Sequence, residues 1–93
     1  PNELLGVHYN KIADAYRDLK KYKEAIFYEK KAVSADKTFY GDDHINVAIR
    51  LGDLAAVALN HDMEIWDEAT EEALKIMAKK NPSRVDDIFH NVT

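Results

Sequence analysis

Residues 9–33, YNKIADAYRDLKKYKEAIFYEKKAV, hold two amphipathic segments separated only by Lys20, Lys21 and their immediate neighbours. Around the first, Leu5, Tyr9, Ile12, Ala13, Tyr16 and Leu19 recur at steps of three and four, which is one apolar stripe of an α-helix. The second carries two stripes, with Tyr22, Ala25, Ile26 and Val33 on one side and Tyr28, Ala32, Ala35 and Phe39 on the adjacent side. A connection this short forces the second helix to fold back on the first. A helix with two apolar sides needs two neighbours, and a lone hairpin supplies one. The stretch therefore predicts an antiparallel helical hairpin with further hairpins stacked against it.

Helix one is expected to start at Asn2 or Glu3, with Asn2 as cap and Glu3 at the positive end of the dipole, and to run to about Leu19. Gly6 reads as a weak point within it. Helix two extends to about Phe39, where Gly41, Asp42 and Asp43 break it, and Asp43 is the expected N-cap of helix three. Helix three shows a small and aliphatic stripe of Val47, Ala48, Leu51, Leu54, Ala55 and Ala58. Helix four begins between Asp62 and Trp66 and ends at Lys80, before Asn81 and Pro82. Ser83 followed by Asp86 resembles a capping box, and Val85, Ile88, Phe89 and Val92 predict a fifth helix.

The plan repeats. Ile12-Ala13 recurs as Leu54-Ala55, an offset of 55 minus 13, or 42, and Tyr22-Lys23-Glu24-Ala25 recurs as Trp66-Asp67-Glu68-Ala69, an offset of 69 minus 25, or 44. Recurrence of two blocks in the same order at this period is the signature of a helical-pair solenoid. The first unit resembles a tetratricopeptide repeat, with Tyr9 at the bulky anchor, Ile12-Ala13 at the Leu-Gly pair, Tyr16 at the aromatic, and Ala25 and Ala32 at the small positions. Ala32 followed by residues 41–48, GDDHINVA, is similar to the linker of the kinesin light chain class of these repeats. The sequence departs from that pattern at Glu29, Lys37, Ile45 and Ala58, which replace a bulky apolar residue, two prolines and an aromatic. The resemblance implies an all-α fold, an α-solenoid of stacked antiparallel hairpins. It comprises repeat one over 3–39, repeat two over 43–80, and a capping or partial third-repeat helix over 83–93.

Composition bounds the function. The 93 residues form one small domain with a modest core, and a net charge of −4 argues against nucleic acid, which selects a strongly basic face. No apolar run approaches the roughly 18 residues of a membrane span, and the absence of Cys favours an intracellular, cytoplasmic setting. A start at Pro1 gives the expectation of a fragment of a longer protein. His8, His44, His61 and His90 form no His-x-x-x-His pair, so no metal site is expected. Glu71-Glu72 and Asp86-Asp87 are adjacent in sequence, point about 100° apart on a helix and cannot flank one substrate. No nucleophile, phosphate-loop or dinucleotide motif occurs, so neither catalysis nor a cofactor is expected. Lys20, Lys21, Lys23, Lys30 and Lys31 make one side of the first hairpin basic, with Glu24 and Glu29 read as interruptions of a solvated face.

What remains is a groove. The family resemblance implies that the first helix of each repeat lines it, which assigns Val7, Asn10, Asp14 and Arg17 in repeat one and Ile49, Gly52, Asp53 and Ala56 in repeat two. Asn10 and Asp14 stand where a carboxylate clamp would carry Lys and Asn, so that ligand is not implied. The expected function is a protein-interaction scaffold holding a peptide or helix of another protein, one carrying Lys or Arg beside an apolar residue. Alternatives from other classes are a structural or weakly self-associating segment of a longer solenoid and a regulatory domain of a larger enzyme.

Overall fold

A computed structural model describes residues 2–80 and folds them into four α-helices, α1 (Leu5–Asp18), α2 (Tyr22–Tyr40), α3 (Ile45–Ala58) and α4 (Met63–Lys80), with no strand among them. The chain is all-α over this range. The fifth helix expected over 83–93 lies outside the described residues.

Turn chemistry sets the helix ends. At the end of α1, Lys20 adopts φ +60°, the Lys21 N–H donates to the Tyr16 carbonyl at 2.9 Å, and the Lys20 N–H donates to Arg17 at 2.9 Å. These two bonds are the Schellman pattern, here with Lys where Gly is usual. Gly41 at φ +95° ends α2, and Asn60 at φ +69° follows α3. The N-cap of α3 is His44 rather than the expected Asp43. His44 is extended and its Nδ1 accepts from the Asn46 N–H at 3.0 Å, so a ring nitrogen satisfies a donor that a carboxylate one residue earlier would have taken. Asp62 caps α4 through the Ile65 N–H at 3.2 Å. Helix α1 starts at Leu5, later than expected, with Asn2 Oδ1 accepting from the Leu4 N–H at 2.9 Å just before it.

Successive helices pack on one another, and α1 also meets α3 along a narrow seam, whereas α1 and α4 do not touch. The result is a slab of 38 × 31 × 17 Å. Helix α3 sits at its centre, with Val47, Ala48, Leu51, Leu54, Ala55, Val57 and Ala58 buried against Ile26 and Val33 of α2 and Ala69 and Ile76 of α4. Small residues at Ala48, Ala55 and Ala58 let the helices approach closely. Tyr28 of α2 lies between Tyr9 and Tyr16 of α1, its ring near-parallel to Tyr16 at 5.6 Å, and Tyr22 stacks on His61 at 3.7 Å.

Several residues sit elsewhere than their stripe predicts. Leu19 and Phe39 are exposed, as is Phe27, because the outer sides of the first hairpin have no covering helix among the described residues. Conversely, Glu29 and Asp36 are buried.

Candidate functional site

The seam where α1 faces α3 is floored by polar residues. Asn10 of α1 donates from Nδ2 to Glu29 Oε1 of α2 at 2.8 Å and to Asp53 Oδ2 of α3 at 3.2 Å, so one amide ties three helices. Arg50, one turn before Asp53, donates to Asp36 Oδ2 at 3.0 Å and to Asp53 Oδ2 at 3.3 Å. The chain of contacts runs Glu29, Asn10, Asp53, Arg50, Asp36. It terminates against Gly6 of α1, where the Asp36 carboxyl occupies the space a side chain would need. Gly6, read from the sequence as a weak point, is thus required by the packing.

Glu29 has no accessible surface, and its Oε2 has no hydrogen-bond partner among the described residues. Burial, followed by the charges of Asp53 and Asp14, pushes its carboxyl from 4.5 up to about 7, against the lowering effects of the Asn10 bond and Arg50. Asp53 is also raised, chiefly by burial, with the Arg50 guanidinium pulling the other way. Glu29 is therefore not a solvated interruption of a basic face, as its flanking lysines suggested. Its spacing carried a signal that its charge concealed. Ala25, Glu29, Ala32 and Asp36 fall at steps of four, three and four, one stripe that carries two carboxylates between buried alanines.

The structure brings together most of the expected groove residues. Asn10 and Asp53 are bonded across the seam, and both Asp14 and Arg17 act electrostatically on Asp53. Val7 and Ile49 line one cleft of about 130 Å³ with Glu3, Asp36, Tyr40 and Arg50. Asp14, Arg17, Ile49, Gly52 and Ala56 are exposed, and Val7, Asn10 and Asp53 are half-buried. Nothing lies within 4 Å of the place a Cβ on Gly52 would take, so the α3 wall is low there. Glu29, Asp36 and Arg50 belong to the same assembly and were not among the expected groove residues.

Among the described residues, no group of three or more His, Cys, Asp or Glu side chains is placed to hold a metal ion, and no helix is long and apolar enough to cross a membrane. No protein-family model matches the chain, nor does any curated protein.

Proposed function

We propose that this chain is a tetratricopeptide-like interaction module whose α1–α3 face holds a peptide or helix of a partner protein. The equivalence of the two hairpins supports the solenoid. Ala13 and Ala55, Ala25 and Ala69, and Ala32 and Ile76 are buried in matching places. Ile12 is 39% exposed while its counterpart Leu54 is 6% exposed, the difference expected when α2 covers α3 and no equivalent helix among the described residues covers α1.

The observation that carries the binding reading is the seam itself: a polar, carboxylate-rich floor beside the low wall of Gly52 and Ala56. A partner backbone can approach α3 closely there, and Asp14 and Asp53 favour a segment with Lys or Arg next to an apolar anchor. Amide shifts on titration with basic and acidic peptides test it. Asp14→Lys should weaken a basic peptide and tolerate an acidic one, and Gly52→Leu should block binding by filling the wall. Shifts confined to Lys23, Lys30 and Lys31, with normal binding by Gly52→Leu, would defeat the assignment.

A second reading is favoured by one observation, the open side of the first hairpin. A cleft of about 340 Å³ between Leu5, Tyr9, Lys31, Ala35 and Thr38 lies on the two helices that also expose Ile12 and Phe27, with the exposed Leu4 just before them. That face suits a neighbouring repeat or a second copy, and oligomeric state against concentration separates the two functions.

A further inference from the structure

Glu29 Oε2 is closed to solvent and has no donor among the described residues, while Oε1 of the same carboxyl accepts from Asn10. An oxygen in that state carries its desolvation cost uncompensated. The helices around it leave little to satisfy it. From α1 it is faced by Asp14 and by Asn10, whose Nδ2 already serves two carboxylates; from α3 it is faced by Asp53 and by Arg50, which is shared between Asp36 and Asp53. Asp14, Glu29, Asp36 and Asp53 stand against Arg17 and Arg50, four potential negative charges against two positive, a net of −2 with all ionised.

We infer that the seam between α1 and α3 is a receptor for one cationic side chain of the partner, an arginine or lysine that gives Glu29 Oε2 its missing donor, flanked by Asp53 and Asp14. The inference rests on the groove reading and adds a named acceptor oxygen and a coupled proton to it. The carboxylates are not placed for a bare metal ion, whereas a guanidinium carries five N–H groups in a flat fork and spans groups set further apart. Glu29 has no accessible surface, so capture requires the seam to open, with Asn10 giving up one of its two bonds beside the exposed Asp14 and the half-buried Asp53. Burial holds Glu29 part-protonated at neutral pH. Capture then exchanges one cation for one proton: the carboxyl O–H bond breaks, the proton leaves to solvent, and the guanidinium or ammonium N–H groups replace it on the oxygen. Binding of the partner is thereby coupled to proton release.

The probes are the acetylated, amidated pentapeptide Leu-Ala-Arg-Ala-Leu and its citrulline analogue, which keeps the shape and removes the charge. With the whole chain, amide shifts locate binding, and calorimetry in buffers of different ionisation enthalpy counts protons. The arginine peptide should shift Asn10, Gly52 and Asp53, bind up to about tenfold more tightly at pH 8 than at pH 6, and release a proton. The citrulline peptide should bind more weakly and without pH dependence. Glu29→Gln should abolish the pH dependence. Asp14→Asn, on the exposed surface, should weaken the arginine peptide several-fold with unchanged thermal stability, which guards against a folding defect in the buried variant. Equal groove shifts by both peptides with no proton release would overturn this inference and leave the groove reading standing. The absence of groove shifts with either peptide would overturn both.

Discussion

The carboxyl group of Asp36 lies over the α-carbon of Gly6, filling the volume that a side chain on residue 6 would occupy. A Cβ there would overlap Asp36 Oδ1 and stand 2.8 Å from its Cγ. Asp36 cannot move aside cheaply, because it is 3% exposed and bonded to Arg50 at 3.0 Å. Gly6→Ala, which in an ordinary exposed helix would stabilise by roughly 1 kcal/mol, should here destabilise by about 1–3 kcal/mol through overpacking. Urea unfolding measures the sign, and a more stable Gly6→Ala protein would refute the contact.

Arg50 neutralises two carboxylates at once, and one of them, Asp36, is buried. Arg50→Ala should cost about 3–5 kcal/mol, the range for removing one partner of a buried ion pair. Lys37–Glu72 and Lys79–Asp43 are more exposed bridges, and removing either should change stability by under ~1 kcal/mol. Thermal melts of the three variants check the contrast; equal losses would mean that burial does not set the ranking.

Folding should bind a proton at Glu29. Its folded value near 7 exceeds the ordinary 4.5, so the folded state holds more protons than the unfolded one between those pH values. Stability contributed by this group is therefore lost as pH rises from about 4.5 through 7, by roughly 3 kcal/mol at most. Asp53, raised as well, acts in the same direction from a lower starting point. Glu29→Gln should flatten the curve across this window and be more stable than the parent at pH 8. A parent protein whose stability rises between pH 5 and 8 would contradict the assignment.

Lys20 holds a left-handed conformation at the close of α1, where a side chain is strained. Lys20→Gly should stabilise the protein by about 0.5–1 kcal/mol, and His44→Ala should destabilise it by about 1 kcal/mol while His44→Asn keeps the cap. Denaturant midpoints read both. A loss on Lys20→Gly would mean that the side chain has a partner of its own.

The spacing of apolar residues made the helices legible, because Val47, Ala48, Leu51, Leu54, Ala55 and Ala58 of α3 and Ala25, Ile26, Ala32 and Val33 of α2 are buried where their periods place them, with Tyr22 and Tyr28 half-buried. Caps were less legible: Asp43 and His44 can both end a turn, and only the backbone geometry selects the imidazole. The floor of the seam was hidden for a different reason. Carboxylates are assigned to solvent by default, and a pair of them on a buried stripe signals an interior network only once the donors, Asn10 and Arg50, are known to converge from two other helices. Exposure of Leu19 and Phe39 was hidden too, since a stripe says which side is apolar and not whether anything covers it.

Contact confined mostly to consecutive helices has a kinetic consequence. Few pairings require distant parts of the chain to meet, so loop-closure entropy is small at each step and folding should be fast, in the microsecond to millisecond range of low-contact-order helical proteins. Native-state opening should be graded for the same reason. Among the described residues the middle pair, α2 and α3, is gripped from both sides, whereas α1 and α4 are each held mainly by one neighbour, so within residues 2–80 amide exchange should spread inward from α1 and α4. The seam, made by one of those outer helices, would then come apart before the interior does.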